Sequence, residues 1–266
     1  ETARACAPPN GHPTYDHVMA ERIGIFGGTF DPIHNGHLVA MYAAREGAAL
    51  DRVFVVPAAD PWQKSTVSES AVDRLAVVHA ACDGREGLEV LSLEIDRGGP
   101  TYSVDTARAL RAPDRELFLV LGADAVHGLD TWHEADELAA LVTVVAVGRS
   151  DTPTPVAPST RWRLQAVAMP RVDISSTDVR KRLATGRSVA GFVPDAAIER
   201  IAALGEERRQ FLIRRQQRDP QLHGRSVLII DDDIRNSSDH AGKLCLQPGC
   251  SRICSFLIDW KHQGEL

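Results

Sequence analysis

The sequence predicts an α/β protein built on a doubly wound, parallel sheet. Three observations carry this. Apolar runs of strand length alternate with helical patterns from Arg22 to about Gly205. The strand runs are nearly continuous in Val, Leu and Phe, as in strands covered on both faces. The first run ends in a glycine pair, Gly27-Gly28, and parallel sheets receive ligands at such strand-to-helix turns.

The elements follow in order. Residues 22–26 are the first strand, ended by the glycines. Residues 37–47 have apolar side chains at helical spacing, in a helix starting near His34 with Gly47 as its C-cap. Residues 52–56 are the second strand, stopped by Pro57. A polar loop over 58–67 carries Trp62 and Lys64. Residues 68–82 are a helix with Ser68 as N-cap, and 88–93 are the third strand. After the Gly98-Gly99-Pro100 turn, 102–110 are helical. Residues 116–121 are a buried strand ending at Gly122. A helix over 136–141, a buried strand over 142–147, a Pro/Thr loop over 151–160 and a short strand over 164–169 come next. Residues 175–184 and 194–204 are closing helices. The arrangement is Rossmann-like. Residues 1–20 read as a disordered extension with Met19 as a natural start. Residues 21–209 form the α/β domain, and 210–266, where the alternation is lost, read as a weakly ordered extension of unassigned role.

Composition narrows the function classes. The 266 residues are 44% hydrophobic and 25% charged, ordinary for a globular chain that buries its core without disulfides or metal. A net charge of -6 argues against a general nucleic-acid binder, whose domain is usually basic. Cys6, Cys82, Cys245, Cys250 and Cys254 are odd in number and unevenly spread; they read as reduced thiols in a cytoplasmic protein. No apolar run reaches the ~18 residues of a membrane span, and residues 1–18 lack the apolar core of a secretory signal. The tail cysteines, with His240 and His262, lack the C-x2-C spacing of zinc sites. Asp231, Asp232 and Asp233 read as a solvated charge run. No metal ligands are assigned.

The string Gly27-Gly28-Thr29-Phe30-Asp31-Pro32-Ile33-His34-Asn35-Gly36-His37 follows the first strand directly. Its glycines let backbone approach a ligand closely. His34 and His37 project from the first turn of a helix whose N-terminus favours anions. Either His alone would pass as a capping residue; the whole string points to phosphate binding. A second segment, Ile174-Ser175-Ser176-Thr177-Asp178-Val179-Arg180, opens a helix with hydroxyls and an arginine able to fork onto phosphate oxygens. A third, Gly122-Ala123-Asp124, ends a strand at the same sheet edge, where Asp124 can hydrogen-bond a ribose hydroxyl. Trp132 beyond it offers a stacking face. A fourth, Thr101-Tyr102-Ser103-Val104, opens a helix suited to a carboxylate. Lys64 can neutralise a phosphate as a point charge.

The first string closely resembles the signature of the nucleotidyltransferase superfamily with the (T/H)xGH motif, and its longer form is similar to the bacterial nicotinate-nucleotide adenylyltransferases. The resemblance spans about residues 22–209. It implies transfer of AMP from ATP to nicotinate mononucleotide, giving deamido-NAD and pyrophosphate, with Mg²⁺ accompanying ATP. It also implies that Gly27, Gly28, Thr29, Phe30, His34, Gly36 and His37, with Gly122 and Asp124 and with Ile174, Ser175, Ser176, Thr177 and Arg180, bind ATP. Asp31, Lys64, Thr101, Tyr102, Ser103, Val104, Trp132 and His133 would bind the acceptor, with Leu129 and Trp132 matching the family's Leu-x-x-Trp. Many members have Tyr or Phe where this chain has His133, and Pro-Pro-His-Lys where it has Pro61-Trp62-Gln63-Lys64. His34, His37, Lys64 and Arg180 are the expected catalytic groups. No Ser-His-Asp triad or poised thiolate is visible, so the expected reaction is direct in-line attack by the acceptor's own phosphate. The rival readings are a sister adenylyltransferase acting on the amide mononucleotide, phosphopantetheine or FMN; a binding module without turnover; and a nucleic-acid binder acting through the tail. The expected partners are small molecules, with no nucleic acid and no membrane; homo-oligomerisation is left open.

Overall fold

The computed structural model describes residues 20–60, 67, 69–149 and 154–218. The expected extension over 1–19, the loop residues Trp62 and Lys64, the expected cap Ser68 and the tail from 219 onward lie outside them. The strands are β1 (Glu21–Gly28), β2 (Arg52–Pro57), β3 (Leu88–Val90), β4 (Arg115–Gly122), β5 (Val142–Arg149) and β6 (Leu164–Met169). The helices are α1 (Asn35–Gly47), α2 (Ala71–Cys82), α3 (Leu93–Arg97), α4 (Ser103–Leu110), α5 (Ala135–Leu141), α6 (Ser176–Ala184) and α7 (Asp195–Arg218), with a 3-10 segment over Ala123–Thr131. No helix among the described residues is long and apolar enough to cross a membrane.

All strand pairs are parallel, in the order β3-β2-β1-β4-β5-β6. The chain steps outward from β1 to β3, then returns to lay β4 on the other side of β1. That reversal is the switch point at which open α/β sheets bind ligands. The strands bury both faces with period two. In β2, Val53 and Val55 join the core under α1 and α2, while Phe54 and Val56 join the core under α4 and α5. In β4, Phe118 and Val120 face the first core, and Leu117, Leu119 and Leu121 the second.

Local expectations were corrected in four places. Helix α2 is capped by Ser70, whose Oγ accepts the Asp73 N–H at 3.2 Å, not by Ser68. The third strand stops at Val90, and Leu93 opens the short helix α3, which was not foreseen. A run of leucines packs against the core in either conformation, so periodicity could not separate them. Gly47 ends α1 without being its cap, which is Ala48. A Cβ on Gly47 would lie 2.6 Å from Val167 Cγ1, so the glycine serves the close packing of α1 on β6. Finally, α7 runs to Arg218, past the expected helix end at 204.

Candidate active site

Strand pairing shapes the crevice. β1 and β4 stay in register only as far as Ile25 and Leu119. Beyond that point β1 remains paired with β2 up to Gly28–Pro57, and β4 with β5 up to Gly122–Val147. The two central strands therefore part at their carboxyl ends, and the loops after Gly28 and Gly122 flank the opening. Gly27 and Gly122 are both exposed there.

The loop after β1 folds tightly. Phe30 holds a left-handed backbone, φ 49°, and tucks its ring under Gly28, where a Cβ would come within 2.9 Å of it. The ring is 2% exposed, so any ligand contact from Phe30 comes from its backbone. The Asp31–Pro32 peptide is cis. Asp31 and Thr29 are buried.

His34 and His37 stack face to face, with ring centroids 3.7 Å apart and 20° between planes. The His34 backbone N–H donates to His37 Nδ1 at 3.1 Å. An accepting Nδ1 puts the proton of the neutral ring on Nε2. Burial pushes the His34 imidazole down to about 4, so it is uncharged near neutral pH. Its Nδ1 is buried and has no hydrogen-bond partner. Gly36 makes room for it, since a Cβ there would lie 3.0 Å from Nδ1. The pair thus brings an uncharged His34 ring, and a His37 ring whose Nε2 is left for a ligand, to the first turn of α1.

The second motif lies over the first. Ser175 caps α6, its Oγ accepting the Asp178 N–H at 3.1 Å. Ser176 Oγ donates to the Pro32 carbonyl at 3.0 Å. Arg180 Nη1 donates to the Asp31 carbonyl at 2.6 Å and lies 3.7 Å from its carboxylate. Thr177 and Asp178 are exposed, and Ile174 packs on the core. Asn35 adds a further tie from α1 to the segment before α7, donating from its backbone to Phe192 O at 2.8 Å and from its side chain to Gly191 O at 2.9 Å.

The third and fourth motifs line the β4 side. The Asp124 carboxylate folds back over Gly122, where a Cβ would lie 2.5 Å from its Oδ1. Leu129 is fully buried and anchors the segment leading to Trp132, which packs half-buried on the core. His133 stacks on Tyr102 at 4.1 Å, which brings the Trp132 segment against the start of α4. Glu134 ion-pairs with Arg108 of α4 and lies 3.5 Å from His133. Thr101 reaches the start of the loop after β2, its N–H donating to Asp60 O at 3.2 Å. Ser103 opens α4 beside Val104, whose side chain is buried. Lys64 lies outside the described residues.

Sequence reasoning missed two groups. Arg74 of α2 is 3% exposed and donates to the carbonyls of Thr29, Ala58, Ala59 and Glu69. The signal was present: Arg74, Val77, Val78, Ala81 and Cys82 form the buried stripe of α2, so an arginine stands at an apolar position. Glu94 of α3 is 4% exposed and accepts a hydrogen bond from Thr106. Burial pushes its carboxyl up to about 7, against the opposing pull of that bond.

Comparison with known proteins gives the family and the fold. A cytidylyltransferase-like family model matches residues 25–182. A Gemmatimonas aurantiaca protein named probable nicotinate-nucleotide adenylyltransferase is 42% identical over 192 residues, covering 69% of this chain and 91% of the relative. A Thermus thermophilus protein of the same name is 44% identical over 183 residues, covering 66% and 93%. Among solved structures, the Plasmodium falciparum nicotinic acid mononucleotide adenylyltransferase complexed with NaAD is similar in fold. Its TM-score is 0.55 at 18% identity, covering 70% of this chain and 96% of that one.

Proposed function

The chain belongs to the cytidylyltransferase-like family and, within it, to the nicotinate-nucleotide adenylyltransferases, and from that premise we propose how its residues carry the reaction. It transfers the adenylyl group of ATP to nicotinate mononucleotide, forming deamido-NAD and pyrophosphate in NAD biosynthesis. One observation carries the reading of the site: Ser176 and Arg180 bond to the carbonyls of Pro32 and Asp31, so the two phosphate-type motifs act as one surface beside the stacked histidines.

An oxygen of the acceptor's phosphate attacks the α-phosphorus of ATP. The bond to that phosphorus forms as the bond to the bridging oxygen breaks, and pyrophosphate leaves with the electron pair. The nucleophile comes with the substrate, so the protein's task is orientation and charge stabilisation. The backbone of Gly27, Gly28, Thr29, Phe30 and Gly36, with His34, His37, Ile174, Ser175, Ser176, Thr177 and Arg180, holds the triphosphate. His37 donates from Nε2, the nitrogen left for a ligand by the bond at Nδ1. Uncharged His34 contributes as a hydrogen-bond partner. Gly122 and Asp124 receive the ribose. On the acceptor side, Trp132 stacks on the pyridine ring. Thr101, Tyr102, Ser103 and the Val104 amide take its carboxylate, with Asp31, His133 and Lys64 beside them.

Mg²⁺ enters as part of the nucleotide substrate, held by phosphate oxygens and water. Among the described residues no three His, Cys, Asp or Glu side chains gather as a metal cage, and the buried Asp31 carboxylate is a hard oxygen donor of the kind such an ion accepts. The proposed setting is the cytoplasm. The test is the fate of label: with ATP labelled at the α-phosphorus, radioactivity should enter the dinucleotide, and with γ-label it should leave in pyrophosphate. Label from the γ-position in the nucleotide product would refute adenylyl transfer.

A further inference from the structure

We propose that Arg74 is a positioning residue for the triphosphate, aiming the Phe30 amide at a phosphate oxygen and locking the β2 loop to the β1 loop. The inference rests on the adenylyltransferase reading for its substrate, ATP, and on geometry for the rest.

Arg74 Nη1 donates to Thr29 O at 2.5 Å. Nη2 donates to Ala58 O at 2.7 Å and Ala59 O at 3.2 Å, and Nε to Glu69 O at 3.2 Å. One guanidinium therefore fastens the loop after β1, the start of the loop after β2, and the return of that loop into α2. A trans peptide sets its C=O and N–H in opposite directions. With Thr29 C=O drawn onto Arg74, the Phe30 N–H points away from α2. The left-handed backbone of Phe30 (φ 49°) costs energy in a bulky residue and persists only where its surroundings over-determine it. The Arg74 bond to the preceding carbonyl supplies part of that constraint.

The charge has a second consequence. A buried cation is costly to desolvate unless it is compensated. The hydrogen bonds of Arg74 go to carbonyl dipoles, and Asp31 is the acid whose charge favours its protonated form while burial opposes it. A neutral side chain of similar size on the α2 stripe would avoid that cost. A retained positive charge behind the glycine loop is useful to an anion in front of it, and the nucleotide's phosphates are that anion.

The test measures binding without turnover. Calorimetry with α,β-methylene ATP and, separately, with nicotinate mononucleotide would compare wild type and Arg74→Lys, with circular dichroism and Tm on both. The expected result for folded Arg74→Lys is a roughly 10-fold or larger loss of nucleotide-analogue affinity and a fall in kcat approaching ~100-fold, as displaced catalytic groups give. Acceptor affinity should hold within about twofold. A role in folding alone would move Tm and leave the folded fraction's two affinities in their wild-type ratio, which would overturn the proposal. Should the variant not fold, the wild type still decides the matter: the Phe30 amide proton resonance should shift when the analogue binds, and an unmoved resonance in a saturated complex would overturn it. Because the analogue affinity and the Phe30 resonance are read without acceptor, a chain that bound the analogue but used another acceptor would refute the acceptor assignment and leave the Arg74 inference standing.

Discussion

Arg180 Nη1 meets the carbonyl of Asp31 at 2.6 Å, across 149 residues of sequence. This bond joins α6 to the loop after the first strand, so Arg180 shapes that loop as well as supplying the cation proposed for the phosphates. A guanidinium has five donors, and the bonds of Arg180 to Asp31 O and, from Nη2 at 3.4 Å, to Thr177 Oγ1 leave others for phosphate. Arg180→Lys keeps the charge and loses the fork. It should lower kcat/KM by about 100-fold, the range seen when one preorganised donor is removed, with Tm nearly unchanged. Wild-type kinetics in that variant would remove Arg180 from the site.

The two nitrogens of His37 have separable roles. Nδ1 accepts the His34 N–H, and Nε2 is the proposed donor to phosphate. Asparagine mimics Nδ1 and glutamine mimics Nε2. His37→Asn should keep wild-type stability and lose at least ~100-fold in kcat. His37→Gln should lose about 1 kcal/mol of stability, as a missing helix cap does, and retain more activity than His37→Asn. Steady-state rates with denaturant melts on both variants check the order; equal rates in the two would contradict this division.

Two buried groups oppose each other in the dependence of stability on pH. His34 is lowered from 6.5 to about 4, so the unfolded chain binds its proton first, and stability falls as pH drops from 6.5 towards 4. Glu94 is raised from 4.5 to about 7, so the folded chain holds its proton longer, and stability falls as pH rises from 4.5 towards 7. Each effect is on the order of 3 kcal/mol at most. Over the shared window they largely cancel. Glu94→Gln should remove one of them, and its stability should then rise with pH between 4.5 and 6.5 more steeply than that of the wild type. Parallel curves from urea melts would contradict the assignment.

The acceptor side should separate from the ATP side. Trp132→Ala removes the stacking face and should raise KM for the mononucleotide at least ~10-fold, from lost stacking plus lost burial, with KM for ATP within about twofold. Equal rises for both substrates would mean that Trp132 supports the whole crevice and not one pocket.

The sheet was legible because its strands are buried on both faces. A run such as Val53, Phe54, Val55 and Val56 has few other uses, and Gly27-Gly28 marks where the first strand ends. The four motifs were legible as strings, since glycines, hydroxyls and imidazoles clustered at helix starts have a recognisable chemistry. Their contacts were not. Nothing in the order of residues says that Ser176 bonds to the Pro32 carbonyl or that His133 lies on Tyr102. Gly47 was misread because a glycine at a helix end serves capping and close approach equally, and only Val167 decides between them. Arg74 was passed over because a helical arginine usually faces water. Its place among Val77, Val78, Ala81 and Cys82 was the clue that this one does not.

The most direct test of the central claim is pyrophosphate release from ATP and Mg²⁺ with nicotinate mononucleotide or its amide as acceptor. Turnover with the acid is expected at a kcat/KM well above that with the amide, because the Thr101–Val104 segment is assigned to the carboxylate. Release that favours the amide, or that occurs only with a different phosphorylated acceptor, would contradict it.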